Sequence, residues 1–145
     1  PPVPPFLTPT AAYALFYNNS ATGATYAAGE NIAYQSTLYN TATADIVNNN
    51  GLITLSGGTT GKAYLVNYQV TGETANDATL ALAINGTVDS NSEIIPNSAT
   101  GTSNGSYIVN VPANSTSTVA LRVVSGTVTT ASPTVGSYLS VIRIA

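Results

Sequence analysis

Residues 62–71 read KAYLVNYQVT, and two kinds of side chain alternate along this stretch. One side of an extended chain carries four large apolar or aromatic residues: Tyr64, Val66, Tyr68 and Val70. The other side carries a mixed set: Leu65, Asn67 and Gln69. A period of two is typical of a β-strand with one buried face, as in antiparallel sheets. The stretch therefore predicts an antiparallel strand that packs one face against a core.

Short apolar runs separated by Gly, Asn, Ser and Thr continue along the rest of the chain. Further strands are predicted at residues 12–17, 30–39, 52–55, 80–84, 106–111, 118–124 and 138–144. Asn85-Gly86 is a two-residue hairpin signal. No stretch shows the apolar stripe of a helix over three turns. Roughly ten short strands at intervals of about ten residues predict an all-β sandwich or barrel.

The composition argues against catalysis and for self-association. The 145 residues include no His, Cys, Met or Trp, with three Lys or Arg and six Asp or Glu. His and Cys are the usual general base and a common nucleophile, so we predict a protein that is not an enzyme. Mean hydropathy is +0.18 at a net charge of −3, so a monomer would expose much apolar surface. Oligomerisation would bury that surface.

Other classes of partner are excluded by what the chain lacks. It has no cluster of Lys and Arg, so no nucleic-acid partner is expected. Its apolar runs are far shorter than the roughly 20 residues of a membrane span, so no membrane insertion is expected. The Pro-rich residues 1–11 predict a linker or stalk junction, because Pro lacks an N–H donor and favours an extended chain. Residues 12–145 are predicted to form one domain. The start of the sequence does not have the pattern of a signal peptide, which indicates a mature protein or an excised domain.

The order of several motifs points to a known family. The motifs are YALFY at 13–17, GLITL at 51–55, GKAYLVNYQV at 61–70, LALAING at 80–86 and GSYLSVIRIA at 136–145. In this order they resemble the C1q/TNF-like jelly-roll superfamily, and within it the C-terminal head domain of BclA-type collagen-like spore-surface (exosporium) glycoproteins. The resemblance covers residues 12–145. It implies a ten-stranded jelly-roll sandwich that assembles as a compact homotrimer.

The resemblance also implies a function and a location. The chain would be the head of an extracellular filament on a bacterial cell or spore surface, with a collagen-like stalk N-terminal to it. The head would trimerise the stalk and present an outward surface for adhesion to a host surface protein or glycan. A second class of function stays open, namely the receptor- or carbohydrate-binding head of a phage fibre or an adhesin. An aromatic shelf in a loop would favour that class, and Tyr26 and Tyr39 are the tyrosines with loop-like surroundings.

The tyrosines are the candidate interface residues. Nine Tyr against two Phe is an unusual ratio for a core, and Tyr suits interfaces because its ring is buried while its hydroxyl keeps a polar partner. We expect Tyr64 or Tyr68, together with Tyr34 or Tyr138, to line the threefold axis. The alternative is that the face of Tyr64 and Tyr68 fills the core of a single subunit. A pairing of Arg143 with Asp45 or Glu30 across the trimer interface is a further hypothesis, and a solvated Arg143 is the alternative.

Two acidic segments are the candidate cation sites. Glu73 and Asp77 lie in a predicted turn after residues 62–71, and Asp89 and Glu93 follow the hairpin. Ca²⁺ takes six to eight oxygen ligands. These carboxylates are few for that number, and solvated loop acids are the alternative; no other cofactor is predicted. The same pairs could be spaced for glycoside hydrolysis, but no Trp accompanies them to hold a sugar.

Overall fold

The structure is a computed structural model that describes residues 12–19, 24–96, 102–130 and 137–145, with only the backbone described for residues 72–77. The predicted stalk junction, residues 1–11, lies outside this part. The described strands are β1 (Tyr13–Tyr17), β2 (Thr25–Ala27), β3 (Ser36–Asn40), β4 (Ile46–Asn49), β5 (Leu52–Ser56), β6 (Lys62–Ile84), β7 (Thr87–Val88), β8 (Thr102–Val111), β9 (Thr116–Thr130) and β10 (Tyr138–Arg143). A short 3₁₀ helix, Ser90–Ser92, follows β7. The predicted all-β class and the ten strands are confirmed.

The strands form two antiparallel sheets that share one long strand. Sheet A has the order β3-β1-β10-β6-β8. Sheet B has the order β6-β9-β5-β4, with β2 also paired to β9 and β7 to β6. Residues 62–71 of β6 lie in sheet A, whereas residues 72–84 pair with β9 in sheet B. Side chains from both sheets form one buried cluster between them, so the fold is a sandwich.

The passage of β6 between the sheets was not predicted. The sequence indicated a turn at residues 73–77, because Gly, Asn and Asp are common turn residues. That prediction is wrong, since the backbone continues as a strand through this segment. Its pairing with β9 shifts register after Gly72 and again between Asn76 and Leu80. Such irregularities bend a strand and increase its twist, which lets one strand serve both sheets.

The strand predicted at residues 30–39 is only partly present. A strand forms at Ser36–Asn40, and the residues before it run as a connection that bridges to β9 at Asn31. Ile32 and Tyr34 are nevertheless fully buried, whereas Leu38, which an unbroken strand would place on the same face, is 64% exposed. The pairing of β1 with β3 shifts register within this region, and the shift breaks the period of two.

The predicted Asn-Gly hairpin is confirmed, and a second Asn-Gly pair forms a turn of the same kind. Asn85 and Gly86 have φ values of 53° and 82°, the left-handed pair that closes β6 onto β7. Asn50 and Gly51 join β4 to β5 with φ values of 50° and 97°. Gly51 is also required by space, since a Cβ there would lie 2.3 Å from the carbonyl oxygen of Ile32. These turns fix the register of sheet B.

Candidate functional site

Three of the four tyrosines predicted at the trimer axis lie in the core of the single subunit. Tyr34 and Tyr64 are fully buried and Tyr68 is 2% exposed. Their hydroxyls donate hydrogen bonds of 2.6 to 2.9 Å to backbone carbonyl oxygens, those of Gln69, Ser56 and Ser92 in turn. Desolvation raises the pKa of all three, so they remain neutral donors. The interface prediction is corrected for these residues, because their rings leave no surface for a neighbour.

Tyr138 is different, because it points away from the core. It begins β10, in which Leu139 and Val141 are fully buried and the residues that alternate with them face outward. The Tyr138 side chain is 37% exposed. It belongs to a larger surface, the outward side of sheet A, on which cross-strand pairing arranges side chains in rows.

The first of these rows is apolar. It joins one outward residue from each of four neighbouring strands: Tyr13 of β1, Ile142 of β10, Leu65 of β6 and Ile108 of β8. Tyr13 is 41% exposed and Ile108 is 53% exposed. Tyr39 of β3 extends the row, with its ring edge-to-face against Tyr13 at 5.6 Å between ring centres. Opposed residues on neighbouring strands lie close enough to touch, so this apolar row is a continuous stripe across the sheet.

The outward side of sheet A becomes polar further along the strands. Two residues on, a middle row contains Leu15, Ser140, Asn67 and Ser106. Two residues further, a polar row contains Tyr17, Tyr138, Gln69 and Asn104. The Ser106 hydroxyl donates to the Asn67 side-chain oxygen at 2.7 Å, and the Asn67 amide donates to the Ser140 hydroxyl oxygen at 3.3 Å. None of the residues in the three rows is charged.

The polar end of this surface contains a hollow of about 330 Å³. Five outward side chains line what we call the amide hollow: Asn67, Gln69, Asn104, Ser106 and Tyr138. Tyr68 and Gly105 complete its lining. Gly105 is needed there, because a Cβ at this position would lie 2.5 Å from the Tyr68 hydroxyl oxygen. No local sequence pattern predicts the hollow, since its residues come together only through the pairing of β6 with β8 and β10.

The outward side of sheet B has another character. One of its rows joins Val47 of β4, Thr54 of β5 and Thr118 of β9. The hydroxyls of Thr25 and Thr129 are 2.9 Å apart across β2 and β9. On this side threonine hydroxyls alternate with exposed apolar side chains such as Val47 and Leu52.

The predicted calcium ligands are not brought together in the part that the structure describes. Asp89 and Glu93 flank the 3₁₀ helix, and the Asp89 carboxylate accepts the Tyr107 hydroxyl and the Asn91 backbone N–H, at 3.0 Å for the latter. The bond from Tyr107, followed by that from Asn91, lowers the pKa of Asp89. The side chains of Glu73 and Asp77 lie outside the described atoms. Among described residues no three His, Cys, Asp or Glu side chains cluster as a metal site, and calcium binding stays a prediction.

The charged residues near the end of β10 pair within one subunit. The Lys62 ammonium lies 2.8 Å from an Asp45 carboxylate oxygen, and the Arg143 guanidinium lies 4.0 Å from the same oxygen. The hypothesis that Arg143 reaches Asp45 of another subunit is therefore corrected. No helix among the described residues has the length and apolar character needed to cross a membrane.

Comparison with known proteins identifies the fold by its similarity to solved structures. No protein-family model matches the chain, and neither does any of the curated proteins. Eiger TNF from S. frugiperda superposes with a TM-score of 0.69 at 12% identity over 92% of both chains. Murine APRIL gives 0.67 at 8% identity over 91% of this chain and 99% of its own. The globular domain of zebrafish complement 1qA gives 0.62 at 10% identity over 92% and 98%. The chain therefore shares the jelly-roll fold of these TNF and complement 1q domains, as its strand motifs predicted.

Proposed function

We propose that the chain is a non-enzymatic head domain that assembles as a homotrimer through the outward side of sheet A. The observation that carries this proposal is the apolar row, an uncharged stripe of Tyr13, Ile142, Leu65 and Ile108. Exposed apolar stripes of this kind mark interaction surfaces. Each of the half-exposed side chains contributes about 1 kcal/mol when a neighbour covers it.

A ring of three copies fits the position of this row in the sheet. Strand β8 is an edge strand of sheet A that pairs with β6 alone among the described strands. An edge needs to be covered if it is not to pair with other chains. Packing the end of the β8 edge that carries Ile108 on the apolar row of the next copy is a head-to-tail contact, which repeats until the ring closes. The C1q/TNF-like fold supports three as the number of copies, since the resemblance implies a homotrimer.

The finer part of the proposal is the biological setting. We infer an extracellular filament protein of a bacterial cell or spore surface (exosporium), with a collagen-like stalk on the N-terminal side of the head. The motif resemblance supports it, as do the Pro-rich residues 1–11. The absence of Cys and Met removes the side chains most easily oxidised on an exposed surface. Because β1 lies in sheet A, a trimer formed through that sheet gathers the three β1 strands, and a stalk ahead of them would be gathered too.

The test is whether the head holds three stalk chains together. A short Gly-Pro-Pro repeat is fused ahead of residue 1, and its triple-helix melting is followed by circular dichroism. We expect melting at a higher temperature than for the repeat alone, and the Ile108→Asp fusion should lose that gain. The Thr54→Asp fusion, altered on sheet B, should keep it. Equal melting with and without the head would contradict the proposal.

A second candidate function is a binding head that recognises a glycan or a surface protein. The amide hollow favours it, because the hollow offers hydrogen-bonding groups that are not part of the sandwich core. This function is compatible with a trimer, since the hollow and the apolar row occupy different ends of the same sheet.

A further inference from the structure

We infer that the amide hollow on sheet A binds a neutral carbohydrate. The inference deepens the proposed function by assigning a ligand class to the head. It rests on that function in one respect, which is that trimer contacts along the apolar row leave the other end of the sheet open. The hollow is formed by Asn67, Gln69, Asn104, Ser106 and Tyr138.

The chemistry of the lining selects hydroxyl-rich, uncharged ligands. The side-chain amides of the lining carry donors and acceptors, and Tyr138 adds a hydroxyl that can do both. The Ser106 hydroxyl donates to Asn67 and keeps an oxygen that can accept. Sugar hydroxyls are also both donors and acceptors, so the two sets of groups match. No lining residue carries a charge, so the hollow has no counter-ion for a phosphate, a carboxylate or an ammonium group.

Tyr138 supplies the apolar contact that a sugar ring requires. A sugar has a face of C–H groups as well as its hydroxyls, and the ring of a Tyr offers a flat apolar surface with a polar tip. The Tyr138 side chain is 37% exposed at the start of β10, beside Gln69 in the pairing of β10 with β6. The amides and the aromatic ring therefore meet in one concave surface.

The hollow is partly organised before any ligand arrives. Asn67 receives a hydrogen bond from the Ser106 hydroxyl at 2.7 Å and donates one to Ser140 at 3.3 Å, which fixes the orientation of its amide. A side chain already held in place loses less entropy on binding. The volume of about 330 Å³ corresponds to roughly ten water molecules, the size of a site for one sugar unit.

The hollow also lies apart from the apolar row. Along β6, Leu65 belongs to the apolar row and Gln69 to the polar row, four residues further on. Four residues of strand span about 13 Å, so the two surfaces are separate. One sheet can therefore hold a subunit contact at one end and a ligand at the other.

The experiment is saturation-transfer NMR on the whole chain with methyl glycosides of mannose, galactose, N-acetylglucosamine and rhamnose. Glucose 6-phosphate and glucuronate serve as charged comparisons. We expect at least one neutral glycoside to bind and the charged sugars to bind more weakly. Asn104→Ala should weaken that binding by about tenfold or more, because it removes hydrogen-bonding groups from the hollow. Asn49→Ala, which alters an exposed amide of sheet B, is the matched control and should leave binding unchanged.

Three results would overturn the inference: no neutral glycoside binds, the Asn104→Ala variant binds as well as the wild type, or the charged sugars bind better. The mass of each sample is measured alongside by light scattering. A trimer that binds none of the sugars overturns the carbohydrate site alone. A monomer whose binding depends on Asn104 overturns the trimer alone, so the two failures are distinguishable.

Discussion

The outward sides of the two sheets share one sandwich but carry different chemistry. Sheet A presents a continuous apolar row that contains Tyr13, Leu65 and Ile108, followed by polar rows without charge. Sheet B presents rows such as Val47 with Thr54, where hydroxyl groups interrupt the apolar surface. The inward sides of both sheets are mainly apolar, with a few buried hydroxyls such as that of Thr130, and merge into one core. Because the inward sides alone are needed for folding, the difference between the outward sides reports on what the molecule contacts.

This difference indicates where function lies in a chain whose sequence contains no His and no Cys. Charged residues are few, and several of those described have structural roles. Asp89 accepts the Tyr107 hydroxyl, and Asp45 pairs with Lys62. The candidates for function are therefore two surface features: the apolar row, which suits another copy of the chain, and the amide hollow, which suits a small polar ligand. The two features can be separated by variants that change one surface, or one side of a strand, and leave the opposite one intact.

The largest effect is expected from a charge placed in the apolar row. Ile108→Asp puts a carboxylate where a neighbouring subunit would cover it, and an unpaired buried charge is costly. We expect the trimer dissociation constant to rise by at least about a hundredfold. Circular dichroism should show an intact fold, because Ile108 is 53% exposed in the single subunit. Thr54→Asp, on sheet B, should leave assembly unchanged, and equal assembly of the two variants would contradict the role of sheet A.

The second effect contrasts the two sides of β8. Gly105→Ala adds a Cβ that meets the Tyr68 hydroxyl oxygen at 2.5 Å, so the ring must move inside the core. Overpacking of this kind lowers the free energy of unfolding by about 1–3 kcal/mol. Asn110→Ala, on the outward side of the same strand, alters an exposed side chain and should change it by less than about 0.5 kcal/mol. Urea denaturation measures both, and equal stability of the two variants would show that Tyr68 is not confined there.

The third effect tests the tyrosines that were predicted at the trimer interface but lie in the core of one subunit. Tyr64→Phe leaves the buried carbonyl oxygen of Ser56 without the donor that now lies 2.6 Å away. We expect the free energy of unfolding to fall by about 1–2 kcal/mol. Tyr39→Phe, on the exposed end of the apolar row, should be neutral in the same denaturation experiment. A neutral Tyr64→Phe would indicate that this hydroxyl is not buried as described.

The smallest effect is a pH dependence of stability that comes from the Asp89 carboxylate. The hydrogen bond from Tyr107 keeps the pKa of Asp89 below its usual value, so the folded state favours the charged carboxylate. Its contribution to stability is therefore present at neutral pH and is lost as pH falls through the pKa of the folded state. Asp89→Asn should lower the melting temperature at pH 7, and the difference from wild type should shrink between about pH 5 and pH 3. A difference that is constant with pH would rule out this carboxylate as its source.

The sequence predicted the regular parts of the fold because these obey local rules. Alternation in residues 62–71 placed the sheet A part of β6, and the Asn85-Gly86 pair marked its hairpin with β7. The sheet change at residues 72–77 was missed, because a bend within a strand uses the same residue types as a turn. Local pattern alone does not distinguish the two.

The functional surface was harder to predict than the fold, for a physical reason. Tyr64 and Tyr138 both lie in strands whose side chains alternate between two faces, yet Tyr64 is fully buried and Tyr138 is 37% exposed. Which side of a strand faces the core is set by the opposing sheet and not by the strand itself. The amide hollow likewise depends on pairing between residues up to about seventy positions apart, as for Asn67 with Ser140. Contacts of this range leave no trace in local periodicity.

The central claim is that copies of this chain assemble through sheet A, and its most direct test is the solution mass. Light scattering is performed on the chain at micromolar concentration and again after dilution to nanomolar concentration, where a specific trimer must still hold together. The account predicts a mass three times the chain mass of 14.7 kDa at both concentrations. A monomer at micromolar concentration would contradict it, and the exposed apolar row would then need another explanation.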